Sequence, residues 1–515
     1  MSNQAGGSTA SQGARRKLPS IGRLPLLLIL VFAASRLIYF AAGVRPDTSP
    51  IDYYWQYIDP ALLRDHLWQS LLYLREQPPG FNLYLGLALK AALPEAIFFV
   101  VQSLMGLALA LTLMMVMIRL GVSDRLAFVF AALFTVSPIT VLYENWVFYG
   151  YPVAVALTTA AWATERYIRA PRFRGGLLLF GALAAVVSIR GMYHLMWFLI
   201  LALLVLWATR NRWKTGLAAL ALPSLLIGAF YIKNFVMFGD MLPGELYRKL
   251  NYAEMIQQQA PPEVLTRLQR ESRIGGILEM DPIAATDSFA GVVKPPAMTG
   301  IPLLDTWQKT TGADNWHSVW RRLVVERFYR DAQVVAHECP GLLAGPVLLN
   351  LRRYLLPATD VFPFDESANA QRLRPFLTWY EQITSGQLPL HAAVDDDPVA
   401  WLNVVLFPAC LIAGLILTVR GFPRAGDRCG GALARCVTLL FILFNIAWNF
   451  AITVLFSSGD HNRYREEVAP LCVVLAGLLA NALWGRLRGS FRRSGQEPSG
   501  GGPLPGATGA RLTGG

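Results

Sequence analysis

The chain has 515 residues, of which 54% are hydrophobic and 16% are charged, and its formal net charge is +12. Soluble domains carry about 25% charged residues, and a chain this long and apolar does not fit a single soluble core. Its apolar residues also cluster in runs of membrane-spanning length. The composition therefore predicts an all-α polytopic membrane protein. In such a protein the basic excess indicates basic cytoplasmic loops, so we do not expect nucleic acid as a partner.

Residues 1–20 are rich in Ser, Gly and Gln and predict a disordered cytoplasmic tail. The apolar run that follows is long enough to span, and no small-residue cleavage site follows it, so we expect an uncleaved first helix. Residues 486–515 predict a second disordered cytoplasmic tail, which is basic. About ten spanning helices are predicted, at 21–44, 95–118, 126–143, 150–168, 175–192, 194–209, 214–236, 400–420, 433–456 and 467–485.

Lys and Arg cluster in the short segments between alternate spans, and the positive-inside rule places these segments and both termini in the cytoplasm. We expect the protein to lie in the plasma (inner) membrane. The opposite, outer side then holds two long loops, called here the first loop (45–94) and the large loop (237–399). The large loop separates an N-terminal catalytic module (21–236) from the C-terminal membrane helices (400–485).

Residues 81–93 are apolar but do not fit this topology as a span, because a crossing there would reverse the side of every later basic loop. At 13 residues they are also shorter than the ~20 that a span needs. We therefore expect an interfacial helix on the outer side. In the large loop, residues 340–364 predict another interfacial helix ending at Pro357, and the loop as a whole either selects an acceptor or acts as a lid.

The first loop carries two candidate catalytic carboxylates. Asp59 followed by Pro60 is typical of an N-cap with Pro at the first helical position, and the leucines that follow predict an amphipathic helix on the membrane surface. Asp59 thus has a structural explanation beside a catalytic one. Asp52 lies among aromatic residues, where partial desolvation would raise its pKa towards that of a useful base.

Two other predicted outer turns carry polar residues with two interpretations each. Residues 143–151 contain aromatic side chains beside a carboxylate and an amide, which is typical either of a sugar-binding platform or of an ordinary interfacial aromatic belt. Arg190, His194 and Lys233 are cations where the charge rule disfavours them. They either reach lipid phosphate or bind a substrate phosphate. The last outer turn carries Arg463 and is expected to face the same cavity as Asp52.

These features together resemble the GT-C integral-membrane glycosyltransferases, in particular the protein O-mannosyltransferases, the lipid A aminoarabinose transferases and their bacterial homologues. Gln77-Pro78-Pro79-Gly80 resembles the family's HPPL or KPPL box, and residues 233–240 (KNFVMFGD) and 462–470 (NRYREEVAP) are similar to recurring family segments. The resemblance covers most of 22–236 and 400–485. The chain departs from the family in three places: Asp52 is followed by Tyr53 and not by a second acid, the box opens with Gln77, and Arg190-Gly191 stands where the family has a Lys-Gly pair.

The resemblance implies transfer of a sugar from a polyprenyl-phosphate donor to an acceptor hydroxyl of a lipid, glycan or protein at the outer face, with inversion. It implies Asp52, or else Asp59, as the general base. The residues expected at the donor phosphate are Arg190, Lys233, Arg463 and Arg75. The residues expected to contact the substrates are Glu144, Asn145, Tyr149, Tyr151, His194 and Gln77.

The sequence lacks the motifs that would indicate other ligands, and it leaves two other functions open. The histidines show no zinc-binding spacing, and there is no P-loop, so neither a zinc site nor a nucleotide site is predicted. Some GT-C enzymes use a divalent metal, but no motif supports one here, and no cofactor is expected with certainty. The alternative function is a transporter or flippase of lipid-linked sugars, and a third is a non-catalytic scaffold that binds them.

Overall fold

The computed structural model describes residues 22–359, 361–365, 367–385, 401–422, 430–459 and 461–494. Within these ranges the chain folds into α-helices and short 3₁₀ helices, with two isolated β-bridges and no β-strand. The prediction of an all-α multi-pass membrane protein is confirmed at this level. The predicted tail at 1–20 and the end of the C-terminal tail lie outside the described residues.

The N-terminal module contains twelve α-helices and one 3₁₀ turn at Arg210–Arg212. The α-helices are α1 (Arg23–Ala41), α2 (Pro50–Tyr53), α3 (Pro60–Asp65), α4 (Leu67–Tyr73), α5 (Pro79–Leu89), α6 (Pro94–Leu120), α7 (Asp124–Val136), α8 (Pro138–Asn145), α9 (Gly150–Arg169), α10 (Phe173–Ile189), α11 (Leu195–Ala208) and α12 (Trp213–Phe238).

The large loop is also helical where it is described, with 3₁₀ turns at Ile277–Glu279 and Thr286–Phe289. Its α-helices are α13 (Glu245–Gln257), α14 (Pro262–Arg270), α15 (Pro302–Asp305), α16 (Val319–Glu338), α17 (Ala344–Leu355), α18 (Phe362–Asp365) and α19 (Ala368–Ser385). The C-terminal part forms α20 (Trp401–Arg420), α21 (Gly430–Phe456), α22 (His461–Arg465) and α23 (Ala469–Ser494).

Six described helices are long and apolar enough to cross a membrane. They are Arg23–Ala41, Pro94–Leu120, Arg210–Phe238, Leu402–Arg420, Gly431–Phe456 and Ala469–Leu487. The pair α7 and α8 would make a seventh, bent by 55°. Helices α10 and α11 are apolar but shorter, and α9 has 20 residues but is less apolar. The number of ten spans therefore stays a prediction, although each of the ten predicted segments contains a helix.

The span predicted at 126–143 is broken because Pro138 lacks a backbone N–H and disfavours helical backbone in the residue before it. Ser137 is extended, with ψ at 142°, and its hydroxyl caps α8 by accepting from the Thr140 amide at 3.1 Å. The C-terminal tail was predicted to begin at Arg486, but α23 continues to Ser494. The interfacial helix predicted at 340–364 is shorter, since α17 ends at Leu355.

The first loop packs as short helices against the bundle. Helix α5 has 11 residues, too few to cross a bilayer, as predicted for this segment. The amphipathic helix predicted after Asp59 is divided at His66 into α3 and α4. A Cβ at Gly80 would lie 2.5 Å from the carbonyl oxygen of Ser188, so only glycine lets α5 approach α10 this closely. Pro78 correspondingly lies near Gly191, the residue that follows Arg190.

The large loop has its own apolar core and is fastened to the first loop by charges. Leu268, Ile277 and Phe328 are among the residues buried in that core. Arg322 donates to Glu76 at 3.3 Å and to Asp240 at 2.8 Å, while Glu76 accepts from a backbone amide of α13 at 3.0 Å. Burial raises the pKa of Glu76. The large loop is therefore held over one end of the helix bundle.

Candidate functional site

A cavity of about 620 Å³ lies where the first loop, the large loop and the turn between α21 and α22 meet. Much of its wall is aromatic, from Tyr53, Tyr54, Trp55, Tyr247, Phe456 and Tyr464. Its polar lining includes Gln77, Arg190, His194, Glu245, Glu254 and Arg463. An apolar cavity of this size with a few convergent polar groups is the usual form of a small-molecule site.

Arg190 follows the last residue of α10 and is 8% exposed. Its Nε atom lies 3.2 Å from a carboxylate oxygen of Glu467, and its guanidinium carbon lies 4.2 Å from the centroid of the Tyr149 ring. Burial alone would lower the pKa of Arg190, but Tyr149 and Glu467 raise it above its ordinary value. Arg190 therefore remains a cation at the cavity wall.

Arg463 lies on α22 and is 7% exposed. It donates to the hydroxyl of Tyr54, and its guanidinium carbon lies 4.9 Å from the Phe148 centroid and 5.0 Å from that of Tyr464. The Tyr464 ring also lies 4.8 Å from Arg190. Burial alone would raise the pKa of the Tyr464 phenol, but the two arginines outweigh burial and lower it. Two guanidinium groups thus share one aromatic ring and face one cavity, an arrangement suited to an anion.

Two carboxylates face the same cavity from α13. Glu245 lies 3.0 Å from the Lys249 ammonium group and 3.7 Å from Arg248. Glu254 accepts a hydrogen bond from the hydroxyl of Ser458, and burial raises its pKa. Sequence reasoning missed both carboxylates. In the structure residues 245–257 form a helix that buries Leu246 and Leu250, but their sequence does not show which surface the helix faces.

Of the predicted substrate residues, His194 and Gln77 line this cavity together with Arg190 and Arg463. His194 is the N-cap of α11, and its Nδ1 atom accepts from the Met196 amide at 3.3 Å. Burial lowers the pKa of His194, which favours the neutral ring. Gln77 is buried at the start of the Pro-Pro segment. The structure therefore brings four of the predicted residues to one wall.

The predicted sugar platform at 143–151 is not part of the wall of this cavity. Glu144 is buried and accepts from Arg36 Nε at 2.7 Å, from Arg36 Nη2 at 2.5 Å and from the Tyr151 hydroxyl at 2.8 Å. Asn145 donates to the Val141 carbonyl at 2.9 Å. Tyr149 lies under Arg190 and supports the cation. These contacts use the polar groups of Glu144, Asn145 and Tyr151 inside the protein.

The two predicted catalytic carboxylates lie outside the cavity lining. Asp52 is exposed, in contrast to the burial expected among its aromatic neighbours, and its backbone carbonyl accepts from Thr311 at 2.7 Å. Asp59 is buried and caps α3 by accepting from the Ala61 amide at 2.9 Å, which confirms the predicted cap. Its oxygens also accept from the Thr310 amide at 2.7 Å and from the Thr310 hydroxyl at 2.6 Å.

The remaining predicted phosphate ligands hold the loops and do not line the cavity. Lys233 donates from Nζ to the Leu74 carbonyl at 2.6 Å. Arg75 pairs with Asp240, beside the Arg322 contacts described above. Both side chains join the end of α12 to the first loop.

No protein-family model, curated protein or solved structure matches this chain. Within the described residues, no group of three or more His, Cys, Asp or Glu side chains is arranged to hold a metal ion. The residues that line the cavity are therefore the basis for proposing a function.

Proposed function

We propose that this protein is a membrane glycosyltransferase of the GT-C type. It transfers a sugar from a polyprenyl-phosphate donor to an acceptor hydroxyl of a lipid, glycan or protein at the outer face of the membrane. The observation that carries the proposal is the pair Arg190 and Arg463, two buried cations that face one aromatic cavity.

The two arginines suit a lipid phosphate. Guanidinium groups bind phosphate through paired, charge-assisted hydrogen bonds, and buried positions strengthen them because water is excluded. In the reaction, negative charge grows on the phosphate as the sugar leaves. Fixed cations aimed at that charge stabilise the transition state more than the ground state.

The aromatic lining suits a sugar. The Trp55 ring stacks on Trp316 at 4.2 Å between centroids with an angle of 13°, and Tyr247 stacks on the same Trp316 ring. Such rigid rings offer apolar faces to pyranose C–H groups, while Gln56 and Gln77 supply hydrogen bonds for hydroxyls. The cavity therefore offers an apolar face and polar partners within reach of the arginines.

The rim of the cavity suits a lipid chain. Leu242 and Phe456 both line the cavity, and they are 55% and 54% exposed. They follow α12 and end α21, two helices of membrane-spanning length and composition. A polyprenyl chain leaving the cavity between them would pass directly into the hydrocarbon region.

The chemistry needs no nucleotide, since a polyprenyl phosphate is already an activated leaving group. The acceptor oxygen attacks the anomeric carbon from the side opposite the phosphate, which inverts the configuration. The bond from the anomeric carbon to the phosphate oxygen breaks, and its electron pair leaves with the lipid phosphate towards Arg190 and Arg463.

The test measures binding and transfer by the purified full chain in nanodiscs. Polyprenyl phosphate is titrated while tryptophan fluorescence is followed, because Trp55 lies in the wall. Losing a hydrogen bond to a charged group costs about 1.5–3 kcal/mol, so we expect Arg463→Gln to weaken binding about 10- to 150-fold. Arg267→Gln, on the exposed face of α14, is the matched control and should bind as wild type does.

Transfer is measured with a panel of radiolabelled polyprenyl-phosphate hexoses and pentoses, using a lipid and glycan extract of the source membranes as acceptor. We expect wild type to label the extract from at least one donor. Equal binding by wild type and Arg463→Gln would contradict the anion site. Binding of the donors and their movement across vesicle membranes without transfer would favour the transporter or flippase instead.

A further inference from the structure

Glu254 is the carboxylate that the structure presents to the cavity with the fewest internal partners. It lies on α13, half-buried, and the hydroxyl of Ser458 donates to its Oε2 atom. Its Oε1 atom has no hydrogen bond to any described residue. One oxygen is therefore held by the protein, and the other is available to a ligand in the cavity.

The turn between α21 and α22 connects this carboxylate to the arginine pair on the wall of the same cavity. Ser458 binds Glu254, and the preceding residue, Ser457, is hydrogen-bonded to the Tyr464 side chain, whose ring lies against both guanidinium groups. Gly459 completes the turn with φ at +100°, which favours glycine. Asn251 of α13 donates to the Phe456 carbonyl at 3.2 Å and holds the helix against the turn.

The other described carboxylates near the cavity are already engaged. Glu245 faces two cations, Glu467 is paired with Arg190, and Asp59 caps a helix. Asp52 is exposed and does not line the cavity. Of this group, Glu254 is thus the carboxylate that lines the cavity without a salt bridge to a described cation.

We propose that Glu254 is the general base of the transfer reaction, an assignment that rests on the proposed function. The proton of the acceptor hydroxyl passes to Oε1 of Glu254 while the acceptor oxygen bonds to the anomeric carbon. The bond from that carbon to the phosphate oxygen breaks, and its electron pair leaves with the lipid phosphate, which faces Arg190 and Arg463. The protonated carboxyl group then releases its proton to water.

The surroundings of Glu254 favour this role. Burial raises the pKa of Glu254, and Asp281 raises it further, while the Ser458 hydrogen bond and the charge of Arg321 oppose the shift. Glu245 and Arg248 also line the cavity from the same helix. A base whose pKa lies closer to the working pH holds a transferred proton more readily.

The experiment compares Glu254→Gln, Glu254→Asp and the control Glu263→Gln in the transfer assay, with the donor that wild type uses best. Glu263 is exposed on α14 of the same loop. A general base contributes typically 10²–10⁴-fold, so we expect Glu254→Gln to lower kcat by about that factor while the Kd for polyprenyl phosphate stays within about twofold. Glu254→Asp should regain part of kcat.

The pH profile separates a base from a residue that only shapes the cavity. In wild type, kcat should fall below a pKa above the ordinary Glu value of about 4.3, because protonated Glu254 cannot accept a proton. That acid limb should be absent from the residual activity of Glu254→Gln. Thermal unfolding and polyprenyl phosphate binding show that the variant is folded.

Two results would overturn the assignment while leaving the proposed function intact. One is a wild-type kcat in Glu254→Gln. The other is loss of transfer in Asp52→Asn with transfer retained in Glu254→Gln. If wild type transfers sugar from no donor of the panel, the proposed function fails and the base assignment fails with it.

Discussion

Two clusters of Arg, Glu and Tyr lie near the same end of the helix bundle but are arranged differently. In the closed cluster of Arg36, Glu144 and Tyr151, both carboxylate oxygens accept hydrogen bonds from partners inside the protein. In the cavity cluster of Arg190, Arg463, Tyr464 and Glu467, both guanidinium groups and the Tyr464 ring line the cavity, and Glu467 lies 3.2 Å from Arg190.

The difference shows that residue type does not by itself identify a site in a membrane protein. A charge within the bilayer region is costly unless it is paired, so the closed cluster is sufficiently explained by its own pairing. The cavity cluster instead places two cations, with an aromatic ring against both, at the wall of a cavity. An anion bound there would interact with both cations.

The largest expected effect comes from breaking the closed cluster with Glu144→Gln. Arg36 would be left buried without a counter-charge, and removing one partner of a buried pair costs about 3–5 kcal/mol. Thermal or denaturant unfolding in detergent measures the loss. The double variant Arg36→Met/Glu144→Leu should recover much of it, because apolar replacement of a whole pair is often tolerated. Unchanged stability of Glu144→Gln would show that the cluster is not closed.

Breaking the cavity cluster with Glu467→Gln should cost less, about 1–3 kcal/mol, since Arg190 keeps its aromatic contacts and faces the cavity. The variant should also bind polyprenyl phosphate more tightly, on the order of tenfold, because a carboxylate 3.2 Å from Arg190 no longer offsets its charge. Fluorescence titration checks this. Weaker binding would mean that the main effect of Glu467 on the anion is to orient Arg190, and that this effect outweighs the offset of the Arg190 charge.

Much of the fold follows from the sequence because apolar runs, caps and prolines act locally. Asp59-Pro60 predicts the start of α3, and the shortness of 81–93 predicts a helix like α5. The bend between α7 and α8 was missed, although Pro138 inside the predicted span was a visible signal.

The site is predicted only in part because partners come from distant segments. Arg190 and Arg463 are found from their charge at apolar helix ends. The sequence does not show the pairing of Glu144, because its partner Arg36 lies 108 residues earlier, inside an apolar span. Glu254 is missed because no short motif shows that α13 packs against the turn after α21.

Lys309 shows a third arrangement. Its side chain is buried, and its ammonium group donates to the backbone carbonyl of Tyr54 at 2.8 Å. Burial lowers its pKa to about 7, with Asp59 and Asp52 opposing the shift. In the unfolded chain the pKa of Lys is about 10.4, so between pH 7 and 10 the unfolded state binds more protons. Stability should therefore rise with pH in this window, by up to ~1.4 kcal/mol per unit. Nearby, burial also lowers the pKa of His317, to about 3, so His317 does not titrate there.

Thermal midpoints at pH 6.5, 8 and 9.5 test this dependence. Lys309→Met should flatten the rise, whereas Lys294→Met, at an exposed position of the same loop, should not. A rise of equal slope in Lys309→Met would assign the dependence to another group and show that Lys309 is solvated.

The smallest expected effects are those of substitutions at Asp59 and Asp52, whose surroundings differ. Every described hydrogen bond of the Asp59 carboxylate is with the backbone of α3 or with Thr310, so it resembles the closed cluster. Asp59→Asn keeps a capping oxygen but loses the acceptor for one Thr310 donor, at a cost of about 1 kcal/mol. Asp52→Asn, at an exposed position, should change the free energy of unfolding by less than about 0.5 kcal/mol. Equal losses in the two variants would show that Asp52 makes an interior contact and is not solvated as its exposure indicates.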